Sequence, residues 1–386
     1  MGRIIFYSYY LLAALVVLQS IRGALSEKIT RYWYVGLSVP LVLFASFRPF
    51  GLMRDDVFYA NVLNWANEDY FSKLNSLRDP LFYAFAWSLG LVSKDPELIL
   101  YFSGVVLFLK LIVLYKLSER WRLVLLFMYI SIYWQLHDLT QLRVSLSALF
   151  FLAYFLFIKK NGVGMQRLSI FGSILSHAQG VLNVLLLFKP PKFSRYFLAA
   201  FTLLFVSLML YRVEVPFANL YALLDWFLGM PTAGDFTYEF REAVSGYYSK
   251  SLDPTGNGYS LTGIVPPIIF VVSIVVYLIL IFSLGPDVCR RPVARSAIFS
   301  IVLAVFLSWL FQSVSDVQVR FYEYYFISGL VLASEAPRGR LLFGVYLLSL
   351  AYFTKHNIRW EIWDMDQINM MLSGLNPYYI LRHFPA

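Results

Sequence analysis

Apolar runs of helix length follow one another along nearly the whole chain, separated by short polar segments. They lack the ten-residue alternation that a transmembrane β-strand requires, so they predict helices. A bilayer core about 30 Å thick is crossed by about 20 helical residues. The predicted spans are 4–21, 32–47, 98–117, 123–136, 143–158, 165–177, 179–188, 196–211, 261–284, 296–313, 319–334 and 340–354. The stretch 81–92 is short for a span and is predicted to be re-entrant or interfacial.

Composition supports the same class. Hydrophobic residues make up 59% of the 386 residues and charged residues only 14%, whereas soluble domains are about one quarter charged. We therefore predict an all-α polytopic membrane protein, a single domain over 1–386 with about 11–13 transmembrane helices. The single cysteine, Cys289, excludes an internal disulfide and a cysteine-based metal site. The four histidines are scattered, so no metal or other cofactor is expected.

The formal charge of +9 is interpreted as a sign of how the chain is oriented in the membrane and not as affinity for nucleic acid, because basic residues hold loops on the cytoplasmic side. The basic loops are 22–31, 116–122, 159–167, 189–195, 290–295 and 335–340. If these are cytoplasmic, both termini lie outside, and so do the loops 48–97 and 212–260 and the tail 355–386. This threading requires 165–188 to be a hairpin that turns near His177. Lys110, inside a span, is expected to snorkel to the cytoplasmic end.

Candidate chemistry lies at the other ends of the helices, where ionisable residues are costly and functional by default. The segment after the second span contains Arg48, Asp55, Asp56 and Tyr59. A solvated loop with mutually neutralising charges is the alternative interpretation.

A second segment contains Asp138, Gln141 and Arg143. Arg143 begins an otherwise apolar helix on the side that the positive-inside rule disfavours. It either snorkels to lipid headgroups or faces inward to bind phosphate, because its planar guanidinium binds oxyanions bidentately.

Two further sets complete the candidates. His177 lies in an apolar segment and is either functional or a satisfied core histidine. Arg320, Tyr322, Glu323 and Tyr324 lie together where a later helix begins. The alternative for Arg320 and Glu323 is an ordinary ion pair at helical spacing.

In this order the motifs resemble the EpsG family of bacterial polysaccharide proteins, which is similar to the Wzy-type O-antigen polymerases. The first matching positions are Arg48, Gly51, Asp55 and Tyr59. Two motifs follow with one departure each: Asp79-Pro80-Leu81-Phe82, in which the family has Glu at the position of Asp79, and Leu142-Arg143-Val144-Ser145-Leu146-Ser147, in which the family has Gln at the position of Val144. The last three are Leu175-Ser176-His177, Arg320 to Tyr324, and Asn376-Pro377-Tyr378. The resemblance covers nearly the full length and implies a GT-C-like fold.

The resemblance implies a polymerase on the outer face of the bacterial inner membrane, in O-antigen (lipopolysaccharide) or capsule and exopolysaccharide biosynthesis. It would be a metal-independent glycosyltransferase that moves a growing glycan from undecaprenyl diphosphate onto a lipid-linked repeat unit. For that reaction we expect the diphosphate and glycan to contact Arg48, Arg143, Arg320, Tyr59, Gln141, Tyr322 and Tyr324. The general base is expected among His177, Asp55, Asp56 and Asp138.

The expected partners are the undecaprenyl-diphosphate-linked oligosaccharide, membrane lipid, a flippase and a chain-length regulator. Three alternatives stay open. An O-antigen ligase uses similar arginine chemistry, and its large outer loop is similar to 212–260. A transporter (flippase) of lipid-linked oligosaccharide would suit about a dozen helices but usually shows internal repeats. A membrane acyltransferase would use a histidine that reaches an acyl donor, often cytoplasmic.

Overall fold

All regular structure in the described part of the chain is helical. The computed structural model of the protein describes residues 2–48, 50, 55–65, 69–70, 79–139, 141–188, 190–191, 194–210, 265–310 and 315–359. The elements are α1 Gly2–Ile21, α2 Glu27–Phe47, α3 Asp56–Leu63, α4 Pro80–Val92, α5 Glu97–Leu117, α6 Arg122–Tyr129, a π-helix Ile130–Asp138, α7 Leu142–Lys159, α8 Val163–Ser176, a 3-10 helix Ala178–Leu187, α9 Arg195–Leu210, α10 Val265–Ser283, α11 Gly285–Arg290, α12 Pro292–Leu310, α13 Ser315–Phe326, α14 Ser328–Ser334, a short 3-10 turn Gly339–Leu342 and α15 Phe343–Arg359.

Every predicted span corresponds to a helix or to two consecutive helices, with bounds that differ by a few residues. The stretch 81–92 is also helical and forms α4, which begins at Pro80, a residue suited to the first turn of a helix. The predicted loop 212–260 and the tail after residue 359 lie outside the described residues.

The outer surface of the bundle is consistent with an all-α membrane protein. In the described part, α5, α7 and α12 are long and apolar enough to cross a bilayer. Helix α5 turns Val105, Phe108 and Leu109 outward with exposures of 54%, 52% and 43%, while Lys110 on the same helix is completely buried. An apolar outer face, with charged groups kept inside the bundle, is the arrangement that lipid favours.

Helix α7 holds the centre of the bundle. It packs against α5, α8, α12, the π-helix and the longer 3-10 helix. Its buried residues include Ser145, Ser147 and Ala148, and small side chains of this kind let neighbouring helices approach closely in membranes. The residue that begins this central helix is therefore held by several neighbours at once.

The predicted hairpin near His177 is confirmed. Helix α8 ends at Ser176, His177 is extended, and the 3-10 helix returns against α8. The His177 Nδ1 atom accepts a hydrogen bond from the Gln179 N–H at 3.1 Å and so caps the returning helix. A Cβ atom on Gly180 would lie 2.4 Å from the Ser173 carbonyl oxygen, so only glycine fits this close approach.

One end of the bundle, here named the basic end, is tied by contacts among the predicted basic loops. Lys159, which ends α7, pairs with Glu335 at 2.5 Å, and Arg291 pairs with the same carboxylate at 3.1 Å. The Trp121 indole donates to the Ala336 carbonyl at 2.7 Å. The cytoplasmic ends predicted for α5, α7, α12 and α14 therefore lie together.

Candidate functional site

Five residues from four segments meet at the end of α7 opposite the basic end. We name them the arginine cluster: Arg48, Asp56, Tyr59, Asp79 and Arg143. Arg143 and Lys159 are separated along α7 by roughly 24 Å at 1.5 Å per residue. The sequence motifs that were far apart along the chain are thus brought together beside the turn between the π-helix and α7.

Arg48 and Asp56 form a buried ion pair in which side-chain exposure is 3% and 1%. The two terminal nitrogens of the guanidinium, Nη1 and Nη2, bind the carboxylate, and Nη2 lies 2.6 Å from Asp56 Oδ1. The same Nη2 donates to the Leu139 carbonyl at 2.9 Å. Arg48 therefore joins the end of α2 to the start of α3 and to the turn before α7. Its guanidinium already binds a carboxylate.

Arg143 has the more exposed side chain of the two arginines. Its Nη1 lies 2.7 Å from Asp79 Oδ2, with side-chain exposure of 24% for Arg143 and 2% for Asp79. Its Cζ atom lies 5.1 Å from the centre of the Phe58 ring, within the range of a cation–π contact. One carboxylate and one aromatic ring thus orient the guanidinium of Arg143, and 24% of the side chain is exposed.

Tyr59 lies beside the start of α7. The backbone N–H groups of Leu142 and Arg143, at the start of α7, favour the ionised form of its phenol and act against the larger effect of burial on its pKa. Burial raises the pKa of the Tyr59 phenol above its ordinary value. Asp55 interacts electrostatically with this phenol, and half-buried Gln141 directly precedes α7.

Deeper in the bundle, Lys110 and Asp138 form a completely buried ion pair. The Lys110 ammonium also contacts the Tyr129 hydroxyl at 2.9 Å and the Ser145 hydroxyl at 2.6 Å, and Tyr129 and Ser145 both donate to the Asp138 carboxylate. The prediction that Lys110 snorkels is wrong, because its partner lies inside the bundle. We call these four residues the lysine network. The carboxylate of Asp138, a candidate general base, is occupied by three donors.

Tyr324 lies within the helix packing. Its hydroxyl is 2.8 Å from Ser147 Oγ, 2.6 Å from Ser173 Oγ and 2.8 Å from Asn183 Nδ2. Its ring stacks on Phe151 with centroids 5.4 Å apart. The ring expected to contact glycan is fully buried, and it links α7, α13 and the hairpin.

Tyr322 is also buried, and its hydroxyl is hydrogen-bonded to that of Tyr352. Its neighbour Glu323 is 4% exposed and interacts electrostatically with Tyr133 on the π-helix. These contacts make the second half of α13 an internal surface. The side chain of Arg320 lies outside the described residues.

Sequence reasoning did not assign a role to Asp79 or a partner to Lys110. Asp79 was noted only as a substitute for a family glutamate. A lysine inside one apolar run and an aspartate at the end of the next are the signal for an interhelical pair.

Among the described residues, no group of three or more His, Cys, Asp or Glu is placed to hold a metal ion. No protein-family model, curated protein or solved structure matches this chain.

Proposed function

We propose that the protein is a polymerase of lipid-linked glycans, which transfers a growing chain from undecaprenyl diphosphate to the sugar hydroxyl of a new lipid-linked repeat unit. The observation that carries this proposal is Arg143 at the start of the central helix of an apolar bundle, where its side chain is 24% exposed and Asp79 and Phe58 orient its guanidinium. A fixed cation at this position would stabilise the leaving diphosphate, because negative charge develops on it as the glycosidic bond breaks.

The chemistry assigned to the arginine cluster follows from its charges. Arg143 binds the diphosphate through its planar fork. Arg48, already neutralised by Asp56, holds the turn before α7 in place. A carboxylate beside the diphosphate takes the proton that the acceptor hydroxyl loses. The proposed fold remains a GT-C-like bundle of about 11–13 spans in the bacterial inner membrane, with the arginine cluster and both termini on the periplasmic side.

Site-directed labelling tests this orientation. In a Cys289→Ser background we expect an impermeant maleimide to label Asn64→Cys in intact spheroplasts and Glu119→Cys only after permeabilisation. Both side chains are exposed, one near the arginine cluster and one at the basic end. Equal labelling of Glu119→Cys in intact spheroplasts, with a cytoplasmic marker protein unlabelled, would contradict the proposed topology.

The material that accumulates in cells lacking the protein separates the candidate functions. Loss of a polymerase leaves single repeat units on lipid diphosphate at the periplasmic face, and a plasmid copy of the wild-type gene restores long chains. Loss of a ligase would instead leave long chains on lipid diphosphate. Loss of a flippase would leave single repeats at the cytoplasmic face. Either of the last two patterns overturns the proposal in favour of that function.

A further inference from the structure

The arginine that begins α6 takes no part in the proposed reaction. Arg122 lies at the basic end, in the predicted cytoplasmic loop 116–122. We infer that Arg122 and the start of α6 form a binding site for the phosphate of an anionic membrane phospholipid, in the leaflet at the basic end. This inference goes beyond the proposed polymerase function and does not depend on it.

The first observation is a buried cation that contacts no carboxylate. Arg122 is 1% exposed, and none of the ion pairs among the described residues includes it. In the same part of the chain its Nε and Nη1 atoms have no hydrogen-bond partner. Its Cζ atom lies 4.1 Å from the centre of the Tyr115 ring. A ring attracts the cation but leaves these N–H donors unsatisfied, whereas buried charges are ordinarily paired.

Two carboxylates in the surroundings do not neutralise Arg122 by contact. Glu27 forms its ion pair with Arg31 and interacts with Arg122 only electrostatically. Glu119 interacts electrostatically with Arg31. Both carboxylates are exposed. Because an exposed group is within electrostatic range of Arg122, the guanidinium lies close to the surface of the bundle, where a phosphate can approach it.

The second observation is the start of the helix itself. Helix α6 is preceded by Trp121, which makes no side-chain capping bond. The first N–H groups of a helix have no partner within it, and at this start they belong to buried residues that include Leu123 and Val124. Such a start attracts anions. Arg122 is the first residue of this turn, so the backbone and the guanidinium offer donors at the same end of the helix, and a phosphate has oxygens for both.

The surroundings favour a lipid as the source of the phosphate. Helices α2 and α5 pack against each other and against α6. Both turn apolar side chains outward, among them Val35 and Val39 on α2 and Val105 and Phe108 on α5. Acyl chains can lie along such a surface while the headgroup reaches the basic end. Basic pockets between helices on the cytoplasmic side are the sites that anionic lipids occupy in membrane proteins.

Native mass spectrometry tests the site with phosphatidylglycerol added to the purified full-length protein in detergent. We expect Arg122→Gln to raise the dissociation constant of this lipid at least about tenfold, because charge-assisted hydrogen bonds to the phosphate are lost. The matched control is Arg291→Gln, which removes the same charge from an exposed arginine at the basic end and should bind within about twofold of wild type. Equal dissociation constants for the two variants overturn the inference.

Thermal unfolding distinguishes this site from a purely structural role of Arg122. In detergent without phospholipid, Arg122→Gln should unfold at the wild-type temperature or above it, because it removes a buried charge that lacks a counter-ion. Phosphatidylglycerol should then raise the unfolding temperature of the wild type by mass action and leave that of the variant unchanged. A variant that is less stable without lipid, and that the lipid stabilises as much as the wild type, overturns the inference.

Two further ligands identify the source of the phosphate. Phosphatidylcholine with the same acyl chains carries no net charge and should bind the wild type at least about fivefold more weakly. Inorganic phosphate, which has no acyl chains, should stabilise the wild type less than phosphatidylglycerol does at the same concentration. Equal effects of phosphatidylcholine overturn the selection of an anionic lipid, and equal effects of inorganic phosphate overturn the assignment to a lipid.

A measurement on the wild type keeps the inference testable if Arg122→Gln does not fold. Phosphatidylglycerol with a photoreactive group on its headgroup is crosslinked to the protein in vesicles, and the labelled peptides are identified by mass spectrometry. We expect label within residues 115–122. Label confined to other loops overturns the inference.

Discussion

Arg143→Ala is expected to lower the rate of chain lengthening by about 10²–10³-fold, the usual effect of removing one fixed donor to a developing oxyanion. The guanidinium is held by Asp79 and lies over Phe58 at the start of α7. Arg143→Lys should recover little of the rate, because an ammonium is a point charge without the planar fork. The rate is measured from product length in vesicles that contain purified protein.

The control is Arg291→Ala. Arg291 also pairs with a carboxylate, that of Glu335, but at the basic end, so its loss should leave the rate within twofold of wild type. Asp79 is buried beside Arg143, so Arg143→Ala removes a cation from a buried carboxylate and lowers stability. The rates are therefore compared only between preparations with equal monodisperse fractions. Equal rates for Arg143→Ala and Arg291→Ala would refute the role of Arg143.

Lys110→Met is expected to lower the free energy of unfolding by about 3–5 kcal/mol, because it leaves the buried Asp138 charge without its cation. Tyr129 and Ser145 still donate to that carboxylate but carry no charge. Adding Asp138→Leu to Lys110→Met should recover much of the loss, since an apolar pair of similar volume removes the buried charge altogether. Reversible unfolding in bicelles measures both effects.

Lys116→Met is the matched control, because Lys116 lies on the same helix and is exposed. Its free energy of unfolding should change by no more than about 0.5 kcal/mol. A loss for Lys110→Met as small as that for Lys116→Met would mean that the lysine network does not stabilise the bundle.

The order and approximate bounds of the helices could be predicted from the sequence, because bilayer thickness sets the length of apolar runs. The hairpin at His177 was also predicted, since placing all the basic loops on the cytoplasmic side requires it. The 3-10 form of its returning half was not, because it depends on the close approach of Gly180 to Ser173. Apolar periodicity does not distinguish such variants of helix geometry.

The candidate site was predicted in part. Loop charge and family resemblance identified Arg48, Asp56, Tyr59 and Arg143, which the structure brings together. The ion pairs Arg143–Asp79 and Lys110–Asp138 could not be predicted, because each joins residues far apart along the chain. Such pairs are decided by which helices pack as neighbours, and the pattern of one sequence does not specify that packing.

The surroundings of Tyr324 could not be predicted from the sequence. Tyr324 follows a predicted site arginine by one turn and so lies on the same face of the helix, which suggested a contact with sugar. In the structure its hydroxyl lies within the bundle, close to Ser147 and Ser173. Proximity in sequence to a candidate residue therefore does not show what a side chain contacts.

The most direct test is the length of product made by the purified wild-type protein. Vesicles that contain only this protein and a synthetic undecaprenyl-diphosphate-linked repeat are incubated, and the lipid-linked products are sized by mass spectrometry. We expect chains of two, three and more repeats, with one free undecaprenyl diphosphate released for each bond formed. A folded protein that binds the substrate yet leaves only single repeats and releases no undecaprenyl diphosphate would contradict the proposed function.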